Sequence, residues 1–205
     1  MLKIYKTYSE KEFNFDNKTE YHNELEFYKN NRHPYLIQKL DNYQKGDKYY
    51  IKYEKISNLN NNYIINTNFI IQICNFLKFL HNLKIDYKCL HKNTIFIDKY
   101  NLKFTLNSDL IYYDNNYVKN NTNKDFCPEN DIYMIGILLY ELYYNCKLKI
   151  KNNKIKTSFK NYNFETAYIN RIIENCLFNN PSLTNIISDK VCNMFSHRLY
   201  EISEI

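Results

Sequence analysis

Glycine and proline are nearly missing from this chain: among 205 residues there are two glycines and three prolines. Asn, Lys, Ile and Tyr are abundant in their place, which reflects an AT-rich coding bias rather than a structural demand, so the Asn and Lys runs are not read as function signals. Paired cysteines are also lacking. The six thiols, at 74, 89, 127, 146, 176 and 192, form no Cys-x-x-Cys and keep no regular spacing, which argues against a zinc ribbon or a disulfide framework. With no signal peptide, the expectation is reduced thiols and a cytoplasmic protein. The longest apolar run, Met134 to Tyr144, is broken by Glu141 and is too short to cross a bilayer, so no membrane partner is expected. There is no internal repeat. Sequons at Asn17 and Asn120 carry little meaning in that setting. No strongly basic tract stands out either. The net charge is +6, but its lysines are scattered, and the one local run, Lys147 to Lys156, reads as a solvated loop, so no nucleic-acid partner is expected.

What is present suffices for a core: 44% of residues are hydrophobic, and the length suits one domain or a pair of small lobes. Phe69, Ile73, Phe76, Leu77 and Leu80 recur at helical spacing up to the polar pair His81-Asn82. A loop follows, Ile85 to Thr94. Ile95 to Phe104, broken by the turn-prone Asp98-Lys99-Tyr100-Asn101, then predicts two short strands and a tight turn. Upstream, Leu2 to Tyr8 predicts a strand, and the charged piece to Lys18 a loop. Thr19 to Asn31 predicts a helix opened by a Thr cap, and Leu36 to Tyr43 with Tyr49 to Ile56 a hairpin about Lys45-Gly46-Asp47. Downstream, Ile132, Ile135, Leu138, Leu139 and Leu142 predict a strongly apolar helix with Asp131 at its start. Glu165 to Phe178 and Thr184 to Tyr200 predict two amphipathic helices, with Leu177, Ile186 and Val191 inward.

The order of a helix ending Leu80-His81, a loop, an Ile95-Phe96 strand and a hairpin resembles the catalytic core of the protein kinase superfamily. The stretch Asp131 to Glu141 is similar to that family's central buried helix, Asp-Val-Tyr-Ser-x-Gly-x-x-Leu-x-Glu. Glu24, nine residues before His33-Pro34, stands where kinases keep the glutamate of their regulatory helix. The likeness covers about Leu2 to Tyr200. It implies an α+β, two-lobed fold, with residues 1–56 a reduced small lobe and residues 57–205 a mainly helical large lobe. Since no glycine precedes Gly46, the resemblance leaves the phosphate-covering loop without its glycines, and its strands would fall upstream of Met1. The small lobe is thus expected to be truncated.

Residue by residue, the resemblance implies roles that this chain fills unevenly. Lys6, with Lys3 next, would be the strand lysine that pairs with Glu24; Glu54 would lie at the hinge, and Phe96 beneath an adenine ring. Tyr87 and Lys88 would stand at the His and Arg of the His-Arg-Asp loop, with Cys89 at the catalytic Asp, His91 at the Lys two residues on and Thr94 at the metal-binding Asn. Leu106 would occupy the Asp of the Asp-Phe-Gly turn, and a three-residue slide would bring Asp109 there instead. Glu129, in Cys127-Pro128-Glu129, matches the Glu of Ala-Pro-Glu, but the family's partner Arg has no counterpart in Asn180 to Thr184. Asp131 would bond amides of the loop.

A thiol cannot take the part of a carboxylate in orienting a substrate hydroxyl, and a leucine offers magnesium no ligand. The expectation is therefore a catalytically impaired kinase-like protein, a pseudokinase, with no metal and at most weak ATP binding. Its partner would be another protein, a kinase or a kinase's substrate. Ile95-Phe96 and the truncation are similar to kinases of the translation-initiation-factor-two alpha subunit and to truncated viral mimics of them. The helix Thr19 to Asn31, with Tyr21, Phe27 and Tyr28, would be the first partner-binding face. Two alternatives stand beside this reading: an atypical active serine/threonine kinase using Lys6, Glu24 and Asp109, and a helical interaction protein unrelated to kinases.

Overall fold

The computed structural model describes residues 2–59, 65–106, 127–151, 154–156 and 164–188. Asp109, the segment Ile111 to Asp125, Val191 and the later part of the expected last helix lie outside the described residues. The fold is α+β, and it divides into two compact units.

The described parts of 1–59 and 93–112 form the first unit. Its sheet, in the order β1-β2-β4-β3, is antiparallel throughout: β1 (Leu2–Ile4), β2 (Ser9–Phe13), β3 (Lys39–Lys45) and β4 (Lys48–Tyr53). The charged SEKEF segment, expected as loop, is instead an inner strand. Its charges are tolerated because each finds a partner: Tyr43 donates to Glu10 at 2.6 Å, Lys3 and Lys48 reach Glu12 at 3.1 and 2.5 Å, and Lys11 meets Glu24. Gly46, at φ +59°, turns β3 into β4 as the turn residues foretell.

Helix α1 spans Lys18–Asn30. Its N-cap is Asn17 rather than Thr19, and no side chain caps it. Tyr21 packs 5.5 Å from the Phe13 ring and 4.9 Å from Tyr49, and Tyr28 lies 5.6 Å from Tyr53. Tyr21 and Tyr28 are therefore buried against the sheet, which removes both from the expected partner-binding face. The exposed positions of α1 are Lys18, Thr19, His22, Asn23, Glu26, Lys29 and Asn30. A second sheet joins β5 (Ser57–Asn58), β6 (Ile95–Asp98) and β7 (Asn101–Phe104). The β6–β7 hairpin was expected with the large lobe. It clusters with the first unit, tied there by Ile37 N–H to the Phe104 carbonyl at 3.0 Å and Phe104 N–H to the Tyr35 carbonyl at 2.8 Å.

The described parts of 60–92 and 113–205 form the second unit. Helix α2 (Thr67–Asn82) is capped by Asn66, whose side chain accepts from Phe69 N–H at 2.9 Å. Phe69, Ile73, Phe76, Leu77 and Leu80, the residues that carried the periodicity, are fully buried. Each contributes on the order of 1.5–3 kcal/mol.

Helix α3 (Pro128–Tyr144) begins with proline in its first turn and ends at Asn145, at φ 49°. Residues 130–140 are buried without interruption, so it is covered on every side. Helix α4 (Phe164–Glu174) runs into a π-helical turn, Asn175–Asn179, that presses on α3: a methyl group at Gly136 would stand 2.8 Å from Leu177 Cγ. Helix α5 (Leu183–Ser188) buries Leu183 and Ile186. The basic run expected as loop is a hairpin instead, β8 (Lys149–Lys151) on β9 (Lys154–Lys156), because its Lys-Ile-Lys repeats alternate as strands do. No described helix is long and apolar enough to cross a membrane.

Candidate functional site

Two polar clusters stand out, one in each unit. In the first unit, Lys11 projects from β2 onto the face covered by α1. Its ammonium lies 2.7 Å from Glu24 Oε2 and donates to the Leu106 carbonyl at 3.1 Å. Both side chains of the pair are only 3% exposed. The other Glu24 oxygen accepts from the Tyr53 hydroxyl. Burial, and next the adjacent Glu24 charge, push the Tyr53 phenol well above the usual tyrosine range. Two charges and a phenol thus share one water-poor pocket, each satisfied by the others.

The lysine partner expected for Glu24 was Lys6, with Lys3 second. Neither occupies that place. Lys6 is exposed in the bend between β1 and β2, and Lys3 sits on β1, 44% exposed, paired with Glu12. Lys11 was missed because the segment around it reads as loop. A lysine between two glutamates within a short polar stretch carries no local mark of burial; only the long-range partner Glu24 makes it affordable.

Glu54, expected at a hinge, holds its surroundings together. Its Oε1 accepts from Gln38 N–H at 2.9 Å and from Lys103 at 2.7 Å. Phe96 is buried on β6, and Thr94 precedes that strand half-buried. Leu106 therefore meets the cluster through its carbonyl oxygen, an acceptor already used by Lys11.

In the second unit the centre is Asp131, fully buried in the first turn of α3. Its Oδ2 accepts from Tyr87 N–H at 2.7 Å and its Oδ1 from Lys88 N–H at 2.8 Å, while His81 Nε2 lies 2.8 Å from Oδ2. The helix start, the loop after α2 and the last turn of α2 are pinned to one carboxylate. This holds Lys88 in the left-handed region, at φ 55°, a conformation that costs a non-glycine residue of order 1 kcal/mol or more. Tyr87 is buried against Phe76, ring centroids 5.3 Å apart.

Asp86 was not singled out in the sequence, yet it completes the loop. Its Oδ2 accepts from Cys127 N–H at 3.0 Å and lies 3.2 Å from Lys88 Nζ. The signal available was a lone carboxylate three residues before Cys89. Cys89 is buried and His91 half-buried; burial, chiefly, holds the His91 imidazole below its usual pKa. Glu129, for which the sequence offered no arginine, accepts from the Cys127 thiol at 3.3 Å. Burial first, and then that hydrogen bond, push the Cys127 thiol up. Among the described residues, then, the loop 83–92 is held by carboxylates, and it carries a buried thiol, Cys89, and a half-buried imidazole, His91.

No protein-family model matches this chain, and no curated protein matches it in sequence.

Proposed function

We propose that this chain is a kinase-like pseudoenzyme, with a reduced small lobe and a helical large lobe, that acts by binding another protein rather than by transferring phosphate. The observation that carries the reading is the buried Lys11–Glu24 pair with Lys11 donating to the carbonyl of Leu106. A kinase sets such a lysine beside the carboxylate that holds magnesium; here the neighbour is a leucine backbone. Asp131 gathering the amides of Tyr87 and Lys88 supports the same reading, since it is the architecture of that family's loop without its acid at Cys89. Replacing a positioned base by a neutral thiol costs a factor of about 10² to 10⁴ in rate.

The partner proposed is a protein kinase, or a kinase's substrate, of the translation-initiation class. The exposed face of α1, His22, Asn23, Glu26 and Lys29, is where contact is proposed.

The test is thermal denaturation with ATP, with and without Mg²⁺, together with a phosphate-transfer assay and addition of the protein to an initiation-factor kinase reaction. Ligand at about 100 times its Kd would add about 2.7 kcal/mol, a visible shift. The expected result is no metal-dependent shift, no transfer, and inhibition of the added kinase that weakens when His22 and Glu26 are changed to Ala. The intact Lys11–Glu24 pair favours a second reading, an atypical active kinase drawing its metal ligand from Asp109. Metal-dependent transfer abolished by Asp109→Ala would establish it and end the pseudoenzyme proposal.

A further inference from the structure

Strand β3 ends the first sheet, and apart from Lys39 all its residues are exposed. Leu40 is 53% exposed and Tyr43 39%. Most edge strands are shortened, covered or broken; this one runs unbroken from Asp41 to Lys45, its irregularity confined to Lys39/Asp41. It is also rigid. The Tyr43 ring stacks on Tyr50 at 4.9 Å and 11°, and its hydroxyl is held by Glu10.

Which backbone groups face outward follows from the turn. Lys45 and Lys48 flank the two-residue turn and pair with each other, so their hydrogen bonds run inward, and alternation then turns Tyr43 and Asp41 inward and Asn42 and Gln44 outward. The outward direction of Asn42 has a direct sign: its N–H is met by its own neighbour, Asp41 Oδ1, at 2.8 Å.

We infer that this edge pairs with the same edge of a second copy of the chain, antiparallel and centred on Tyr43. In that register Asp41 of each copy stands opposite Lys45 of the other, Asn42 opposite Gln44, and Tyr43 opposite itself. The Asn42 N–H exchanges its local bond to Asp41 Oδ1 for the Gln44 carbonyl of the other copy, which releases the Asp41 carboxylate toward Lys45 there; the remaining outward N–H and C=O groups of Asn42 and Gln44 meet in the same way, as an antiparallel ladder requires. The charge pattern selects the register. A pairing centred one residue earlier, on Asn42, would set Lys39 against Lys45, like charge on like, which cross-strand pairing disfavours. Self-complementary charge about a two-fold axis is what a second copy satisfies and an arbitrary extended peptide does not. Because the contact is one short strand from each copy, the dimer falls in the weak, micromolar class.

The experiment is sedimentation of the full chain over about 1 to 200 μM, bracketing that affinity range. Wild type is expected to pass from monomer to dimer. Asp41→Lys puts lysine opposite lysine twice per dimer and is expected to weaken association by about tenfold or more. Lys45→Asp does the same with the opposite sign, so it serves if the first variant folds poorly by circular dichroism. The exchange variant Asp41→Lys/Lys45→Asp restores opposite charges and is expected to return the dimer to within about threefold of wild type. A monomer at every concentration, a dimer indifferent to the single changes, or an exchange variant that fails to regain association would each overturn the proposal, as would a monomer that binds an unrelated extended peptide at this edge.

Discussion

Removing one member of the Lys11–Glu24 pair tests the first cluster most directly. At 2.7 Å and an effective dielectric near 20, the gross attraction is about 6 kcal/mol, most of it offset by the cost of taking both ions out of water. The net value of the pair is therefore small, but the cost of orphaning one charge is large. Lys11→Met leaves Glu24 buried with only the Tyr53 hydroxyl among the partners described above; Glu24→Gln leaves Lys11 its bond to the Leu106 carbonyl. Each is expected to lose about 3–5 kcal/mol. For a chain of this size that is a fall in Tm of about 6–20 °C. The double variant Lys11→Met/Glu24→Leu replaces both ions by hydrocarbon and is expected to be nearly as stable as wild type, or more so, giving a large coupling in the cycle. The assay is urea denaturation followed by circular dichroism and tyrosine fluorescence, the chain having 22 tyrosines and no tryptophan. Hydrogen exchange on peptides from β2 and α1 locates the loss. Single variants costing under about 1 kcal/mol would mean the pair behaves as a surface ion pair, and the reasoning from burial would fail.

Asp131→Asn keeps the shape but leaves one carbonyl oxygen for two amide donors, and sets an NH₂ against one of them. A stability loss of about 2–4 kcal/mol is expected by denaturant titration, with faster exchange at Tyr87 and Lys88; unchanged exchange there would refute the pinning. Gly136→Ala drives a methyl group against Leu177 and Cys176 and is expected to cost about 1–3 kcal/mol, whereas Gly136→Ala/Leu177→Ala should recover part of it; a neutral single change would show that the π-turn yields freely. His33 and His91 are both held below the usual imidazole pKa, by burial in each case. The unfolded chain then binds protons that the folded chain does not, so stability is full above the unfolded value near 6.5 and is lost as pH falls through the lower folded values. Tm measured at about pH 7.5 and 5.5 should drop on acidification, and His91→Asn should flatten that drop; an identical slope in the variant would contradict the sign.

Much of the local structure was legible without coordinates, for reasons that lie in neighbouring residues. The stripe from Phe69 to Leu80 announced α2, the Asp98 to Asn101 turn announced β6 and β7, and Gly46 announced the β3–β4 hairpin. Asp131 could be marked from its own stretch only as the residue at the head of an apolar helix; that it gathers the loop amides was implied by the resemblance, not by the local pattern, since those amides lie more than 40 positions away. The misreadings share a cause. SEKEF reads as a loop, and Lys6 and Lys3 rather than Lys11 suggest themselves as the partner of Glu24, because a strand whose charges are neutralised from elsewhere looks polar when read alone. Tyr21 and Tyr28 were assigned to a partner-binding face because α1 taken singly does not say which side the sheet covers.

Sequence by itself thus determined α2, α3 and the β3–β4 and β6–β7 turns, since those depend on spacing over a few residues and on the backbone freedom of single positions, but not the charged strand β2 or the lysine-rich β8 and β9. Tertiary structure alone decided that Lys11 meets Glu24 and the Leu106 carbonyl, that Asp86 secures Cys127, and that Gly136 admits Leu177. Those contacts join residues from 13 to 95 positions apart. The cost of burying a charge, or the room for a methyl group, is set by whichever distant segment arrives beside it.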